Sequence, residues 1–166
     1  MSDTTGTNST SYPTARLHTE HGDLVVELWD DVAPKHAENF LKLVDSGFYN
    51  GVTFHRIIPG FVIQGGCPRG DGTGGPGWKV PAEFNDREHH PGVLSMARSS
   101  DPDSAGSQFF VCLTRENCRH LDGQYTAFGK VIDGMDVVEK IASTPLADKA
   151  AGRPANPPKI TAAERA

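Results

Sequence analysis

Phe54-His55-Arg56-Ile57-Ile58-Pro59-Gly60-Phe61-Val62-Ile63-Gln64-Gly65-Gly66 runs as two apolar segments on either side of a Pro-Gly pair. β-branched and aromatic residues around such a pair predict a strand, a tight turn and a second strand. The two-residue period of a strand sets Phe54, Arg56 and Ile58 on one face, with His55 and Ile57 on the other. Val62 and Gln64 share a face of the second strand. An arginine and a glutamine thus interrupt a core-like hairpin. Arginine is rarely buried without a partner, so Arg56 is either half of a structural ion pair or a donor aimed at a ligand.

Outward from the hairpin the pattern is that of a turn-rich β protein. Strands are predicted over Thr14 to Thr19, Leu24 to Trp29, Val93 to Ala97, Gln108 to Leu113 and Thr126 to Ile132, with a last edge strand over Lys159 to Ala162. Ala33, Ala37, Phe40, Leu41 and Val44 recur at helical spacing, with Pro34 suited to a first turn and Gly47 to a stop, which predicts a helix over Pro34 to Asp45. Met135, Val138 and Ile141 predict a second, short helix within Gly134 to Ile141. Asp148 to Pro158 reads as a connecting loop. About eight strands and two helices result, in one domain over 13–166 behind a polar tail at 1–12 that has too little apolar surface to fold. Closing such a sheet into a barrel removes its exposed edges.

The 166 residues carry a formal net charge of −5, which argues against a nucleic-acid or anionic-membrane partner held by bulk charge. No apolar run approaches the ~20 residues of a membrane span. The N-terminus lacks the basic and apolar segments of a signal peptide, and the three cysteines cannot all pair within the chain, so a reducing, cytoplasmic location is expected.

Few residues offer covalent or metal chemistry. Cys112 sits in an apolar strand, where an inert buried thiol is the default, while Cys67 falls in a loop with partial exposure expected. His89-His90 and Cys118-Arg119-His120 hold soft ligands, but their spacing matches no closed zinc site, and adjacent histidines are common on solvated loops. The glycine-rich segment Gly65 to Trp78 lacks a Gly-Lys-Ser/Thr ending and no helix follows it, so an ordered loop is the better reading than a phosphate cradle.

Phe54-His55-Arg56, Phe61 and Gln64-Gly65-Gly66 together resemble the signature of the cyclophilins, the peptidyl-prolyl cis-trans isomerases or rotamases. Gly92-Val93-Leu94-Ser95-Met96-Ala97 followed by Gly106-Ser107-Gln108-Phe109-Phe110-Val111 is similar to the family's second signature. Leu121-Asp122-Gly123 followed by Phe128-Gly129-Lys130-Val131 is similar to its third. The resemblance covers residues 14 to 164, in order. It implies a mainly β fold, a closed eight-stranded antiparallel barrel capped by two α-helices. It also implies an enzyme that accelerates rotation about Xaa-Pro bonds and assists protein folding, a chaperone-like role.

That activity needs no nucleophile, metal or cofactor. Resonance gives the amide a rotational barrier of about 18–20 kcal/mol. Shortening about 10–100 s to milliseconds takes roughly 10⁴-fold, or about 5–6 kcal/mol. No bond breaks; the twisted amide need only be favoured over both planar forms. The resemblance assigns Arg56 to the proline nitrogen as it regains lone-pair character, with Phe61 and Gln64 as the other catalytic positions. It assigns Phe61, Val62, Phe110 and Leu121 to an apolar wall; plain barrel core is the reading of those four without it. Gln64 and Gln108 fall on groove positions that bond peptide backbone, and Ala97, Arg98 and Ser99 beside the substrate chain.

There are departures from the family pattern. Val62 replaces a methionine common in animal members, Tyr125 a frequent histidine, and Arg98 a usual asparagine. His120 stands where strongly cyclosporin-sensitive members have tryptophan, so weak binding of cyclosporin-type ligands is expected. Expected partners are proline-containing peptides and unfolded or folded client proteins, met by a monomer. A binding module with little turnover and a purely structural barrel are the competing classes. The retained Arg56, Phe61, Gln64, Phe110 and Leu121 favour the enzyme.

Overall fold

Strands β1 (Thr14–Thr19) and β2 (Gly22–Leu28) form a hairpin in continuous register from Thr14↔Glu27 to Thr19↔Gly22. Its buried positions alternate as a two-residue period requires, with Ala15 and Leu17 facing Leu24, Val26 and Leu28. The computed structural model describes residues 12–166. The tail expected at 1–12 lies outside them except for Tyr12, whose hydroxyl donates to Asp31 (2.8 Å) and accepts from Arg87 (3.0 Å).

Helix α1 (Pro34–Asp45) forms where the apolar spacing predicts it and buries Ala37, Phe40, Leu41 and Val44. Ala33 offers no side chain to cap it. Glu83 does so from 47 residues away, accepting from the N–H groups of Lys35 (3.2 Å) and His36 (2.8 Å) and lying 2.6 Å from His36 Nδ1. Phe40 carries the helix into the core, meeting the rings of Tyr49, Phe109 and Phe128 at 5.1, 5.5 and 5.5 Å.

The chain continues through β3 (Arg56–Ile58), β4 (Val62–Gly65), β5 (Val93–Met96) and β6 (Phe109–Cys112). A short helix α2 (Arg115–Cys118) and a 3₁₀ turn (Arg119–Leu121) follow, then β7 (Ala127–Asp133) and helix α3 (Met135–Ala142). The small strands β8 (Leu146–Asp148) and β9 (Arg153–Pro154) pair with each other, and β10 (Ile160–Arg165) ends the chain. Three helices stand where two were expected. Thr114 starts the extra one, its hydroxyl accepting from the Asn117 N–H at 3.2 Å.

Eight strands make one antiparallel sheet in the order β10-β1-β2-β7-β5-β6-β4-β3. The sheet curls but does not close, which corrects the expected barrel: it is an open half-barrel with β10 and β3 as its edges. The seam between them carries one isolated bridge, Thr53↔Lys159, and loop bonds such as Phe54 N–H to Pro158 O at 2.8 Å. Pro157 and Pro158, ahead of β10, have no N–H to donate, so a continuous ladder cannot run there. The edge at β3 is covered instead by the β8–β9 flap, whose Gly152 carbonyl accepts the Ile57 N–H at 2.7 Å.

Sheet alternation splits the apolar residues into two clusters. Ile57, Ile63, Leu94, Phe109 and Val111 face the main core with α1 and α3. Val62, Phe110, Cys112, Cys118 and Leu121 form a smaller cluster on the outer face. The expected phase of the hairpin fails at one point. Phe54 joins Ile57 in the core and not Arg56, because the ladder starts at Arg56 and residues 54–55 lie outside it.

Candidate active site

A groove of about 400 Å³ opens on the outer face of β3, β4 and β6. β3 and β4 supply Arg56, Val62 and Gln64, the turn between them Phe61, and β6 Phe110. Ala97 and Arg98 enter from the end of β5, and His120, Leu121 and Tyr125 from the 3₁₀ turn and the loop after it. Ten of the twelve positions assigned by the family resemblance are therefore brought together here. The other two, Ser99 and Gln108, line an adjoining pocket of about 630 Å³ beside the glycine-rich loop, with Gln64, Ala97 and Arg98 shared between the two.

Arg56 is half-buried and directly opposite Gln64 in the β3–β4 register. Its Nη1 donates to Gln64 Oε1 at 3.2 Å, Gln64 Nε2 donates to Gln108 Oε1 at 3.2 Å, and Gln108 Nε2 donates to the carbonyls of Gly72 and Gly74, each at 2.9 Å. Arg56 has no carboxylate partner among the described residues. Of the two readings of this arginine, the structural ion pair is absent. The guanidinium is held by a neutral amide, which leaves its charge uncompensated and its remaining N–H groups free to donate into the groove.

The apolar floor is desolvated: Val62, Phe110 and Leu121 are 2%, 5% and 4% exposed. Phe61 and His120 stack at 5.8 Å and form one side. Tyr125 meets Phe110 edge-on at 5.9 Å and forms another. Arg98 lies across Tyr125 with its guanidinium carbon 4.4 Å from the ring centroid. It donates to the carbonyls of Gln124 (2.7 Å) and Ser99 (3.0 Å). Its side chain is thus pinned to the rim.

Other candidates fall away from this chemistry. Cys67, Cys112 and Cys118 are all buried, Cys67 against the expectation for a loop thiol. The neighbouring Cys118 and burial push the Cys112 thiol far above its ordinary range, which suits an inert core residue. Of the adjacent histidines only His90 is solvated; His89 is buried, because its neighbours are residues 95, 110 and 122 and not its own loop. That environment comes from distant segments, so no local signal announces it. No three His, Cys, Asp or Glu side chains cluster as a metal site among the described residues, and no helix among them is long and apolar enough to cross a membrane.

Residues 14–165 match the family described as cyclophilin type peptidyl-prolyl cis-trans isomerase/CLD. A peptidyl-prolyl cis-trans isomerase of Synechococcus elongatus is 52% identical over 119 residues, spanning 72% of this chain and 80% of that protein. Peptidyl-prolyl cis-trans isomerase B of Bacillus subtilis is 49% identical over 119 residues, 70% of this chain and 81% of that protein. The crystal structure of a Cryptosporidium parvum cyclophilin type isomerase, in the presence of the dipeptide Ala-Pro, has a TM-score of 0.86 at 36% identity, covering 92% of this chain and 98% of that one. The chain belongs to the cyclophilin-type peptidyl-prolyl cis-trans isomerases. Its activity is that of an isomerase acting on peptidyl-prolyl bonds.

Proposed function

We propose that the groove holds a proline of a client peptide over Phe110, with the ring against Phe61, Val62 and Leu121, and that Arg56 donates to the proline nitrogen as the amide twists. The observation that carries this is the pairing of an uncompensated guanidinium with a dry apolar floor. In the planar amide the nitrogen lone pair is delocalised and accepts poorly; in the twisted amide it is localised and accepts well. A donor fixed beside it therefore binds the transition state better than either ground state. One charge-assisted hydrogen bond supplies about 1.5–3 kcal/mol of the roughly 5–6 kcal/mol that a 10⁴-fold acceleration takes. Desolvation in the apolar groove and backbone bonds from Gln64, Gln108, Ala97 and Ser99 supply the remainder.

Nothing in this mechanism calls for a cofactor. The clients are proline-containing segments of unfolded or folded proteins, met by a monomer in a reducing, cytoplasmic setting; the three unpaired cysteines support that setting. The test is cis-trans exchange of a short Xaa-Pro peptide, followed by NMR, with wild type and Arg56→Ala. Loss of exchange in a folded variant supports the assignment. Equal rates would remove Arg56 from the mechanism.

A further inference from the structure

His89 is completely buried, and both its ring nitrogens are engaged. Nδ1 lies 3.0 Å from Asp122 Oδ1 and Nε2 2.8 Å from Ser95 Oγ. Asp122 also takes a forked pair from Arg115 (Nη1 to Oδ1 3.0 Å, Nη2 to Oδ2 2.7 Å) and the His89 backbone N–H at 2.8 Å. The Arg115 guanidinium holds the Asp122 carboxyl well below the usual carboxylate range, so Asp122 only accepts. Nδ1 therefore carries the imidazole proton, and Nε2 accepts from the Ser95 hydroxyl.

These are the residues and roles of a Ser-His-Asp triad, but not in a place where one could work as such. Ser95 is 0% exposed and sits in β5 directly opposite Phe110, so no substrate carbonyl reaches its hydroxyl. What the imidazole does touch is the groove floor. Its ring lies 20° from coplanar with Phe110, centroids 6.3 Å apart.

We propose that His89 is a positioning residue for the isomerase reaction: the Arg115–Asp122–His89–Ser95 chain fixes the imidazole, and the imidazole fixes the plane of Phe110 under the proline. This rests on the groove being the proline pocket. The second torsion of a phenylalanine is soft, so its plane is set by what packs against it. A fully bonded polar chain, buried at His89 and Ser95 and half-buried at Asp122 and Arg115, is a rigid support, and misplacement of about 1 Å costs up to about 10²-fold in rate. Protonation would put a proton on Nε2 and take away the acceptor of the Ser95 hydroxyl. The charged and titratable groups facing His89 are Asp122, Arg115 of α2 and His120 of the 3₁₀ turn, with Glu88 reaching it through Arg115 at 3.6 Å. Burial pushes His89 below its ordinary value against the pull of Asp122.

The test follows exchange of an Ala-Pro peptide by NMR in wild type, His89→Gln and His89→Phe, from about pH 7.5 down to about pH 4.5. The imidazole nitrogen shifts of the wild type are recorded alongside. His89→Phe is expected to lower kcat about tenfold at neutral pH, within the range that such misplacement costs, and His89→Gln to recover part by still bridging to Ser95. Wild-type turnover should fall in step with protonation of His89, below its ordinary 6.5. That limb should vanish in His89→Gln, which keeps His120 and every other histidine. A wild-type rate indifferent to the charge on His89, or normal turnover in both variants, overturns the proposal. Should His89→Phe not fold, the wild-type titration and His89→Gln decide. Arg56→Ala in the same assay separates the two claims: normal turnover there sinks the proline-pocket reading, whereas its loss beside an unaffected His89 series sinks only the role of His89.

Discussion

Arg56 and Gln64 face each other across neighbouring antiparallel strands, and the arginine gives Gln64 one hydrogen bond, at 3.2 Å. A glutamine in that place orients the guanidinium without neutralising it. A carboxylate there would spend the charge on the protein itself.

Arg56→Lys keeps the charge and loses the planar fork. Losing a charge-assisted bond of about 1.5–3 kcal/mol corresponds to roughly 10- to 150-fold in kcat, with peptide affinity less affected. Stability should change by less than about 1 kcal/mol, since no buried carboxylate is orphaned. Urea unfolding and peptide exchange on the same sample check both halves; a variant that unfolds would place Arg56 in the scaffold.

Gln64→Leu removes the amide joining Arg56 to Gln108. The arginine then keeps its position in the strand but not its aim, so kcat should fall about tenfold, in line with one charge-assisted hydrogen bond of about 1.5 kcal/mol. Gln64→Glu should lower kcat more than Gln64→Leu, because it pairs the charge. Steady-state kinetics of the two variants decide, and the reverse order would show that orientation matters more than free charge.

His120 stacks on Phe61 at the groove wall and offers less apolar area than an indole. The loss of an aromatic anchor commonly costs about 2 kcal/mol at an interface, about thirtyfold. His120→Trp should therefore tighten cyclosporin binding at least about tenfold and leave peptide turnover near wild type. Calorimetric titration of both proteins settles it; equal affinities mean this side chain does not meet the drug.

Arg98, in place of the family's usual asparagine, neither reaches along the groove nor points to solvent. Its guanidinium is held on Tyr125 and by the Gln124 carbonyl. Arg98→Asn should therefore raise KM about threefold by loosening the Tyr125 wall, a cation–π contact at a partly exposed site being worth about 0.5–1 kcal/mol. The preference between Glu and Lys before the proline should shift by less than about twofold. A large shift in that preference, removed by salt, would show that the charge faces the substrate after all.

Acid should destabilise the fold before any carboxylate titrates. Burial pushes His36 below its ordinary 6.5 despite Glu83, and burial likewise lowers His55 and His89. In each case the unfolded chain takes up a proton at a pH where the native one does not, so stability falls as pH drops from 6.5 toward the native value. His18 has the opposite sign. Glu164 and Asp23 raise it, so its contribution is present below 6.5 and is lost as pH rises through the raised value. Two buried groups and one half-buried one, His55, outweigh the single half-buried His18. Thermal melts at about pH 7 and about pH 5 should show the loss, with a flatter dependence in His36→Gln; an unchanged slope would mean His36 is already charged in the native state.

The residues of the groove were legible because strand alternation and three short signatures mark them locally. Arg56, Val62 and Gln64 follow the two-residue period of a real ladder, whereas Phe110 was marked only by the resemblance, since all four residues of its strand are buried. What was not legible depends on long-range contact. Phe54 breaks phase because its N–H bonds to Pro158 and not to a neighbouring strand. Glu83 caps α1 from another part of the chain, and the burial of His89 is decided 33 residues away at Asp122. Helix α2 is four residues long, too short for a periodic signal, although its Thr114 cap is a readable start. The closed barrel failed at its seam, where Pro157 and Pro158 interrupt the donor row.

Because the barrel stays open, the strand that carries Arg56 is an edge, and an edge is a template for intermolecular pairing. The β8–β9 flap shields it, held there by the Gly152 carbonyl. Gly152 has φ +72°, and a Cβ there would stand 2.5 Å from Ile58 Cδ1 and 2.9 Å from the Ile57 carbonyl. Any larger residue at 152 would lift the flap from β3. The glycine therefore guards solubility as well as shape: with it replaced, the isomerase should become prone to self-association through the strand that carries Arg56.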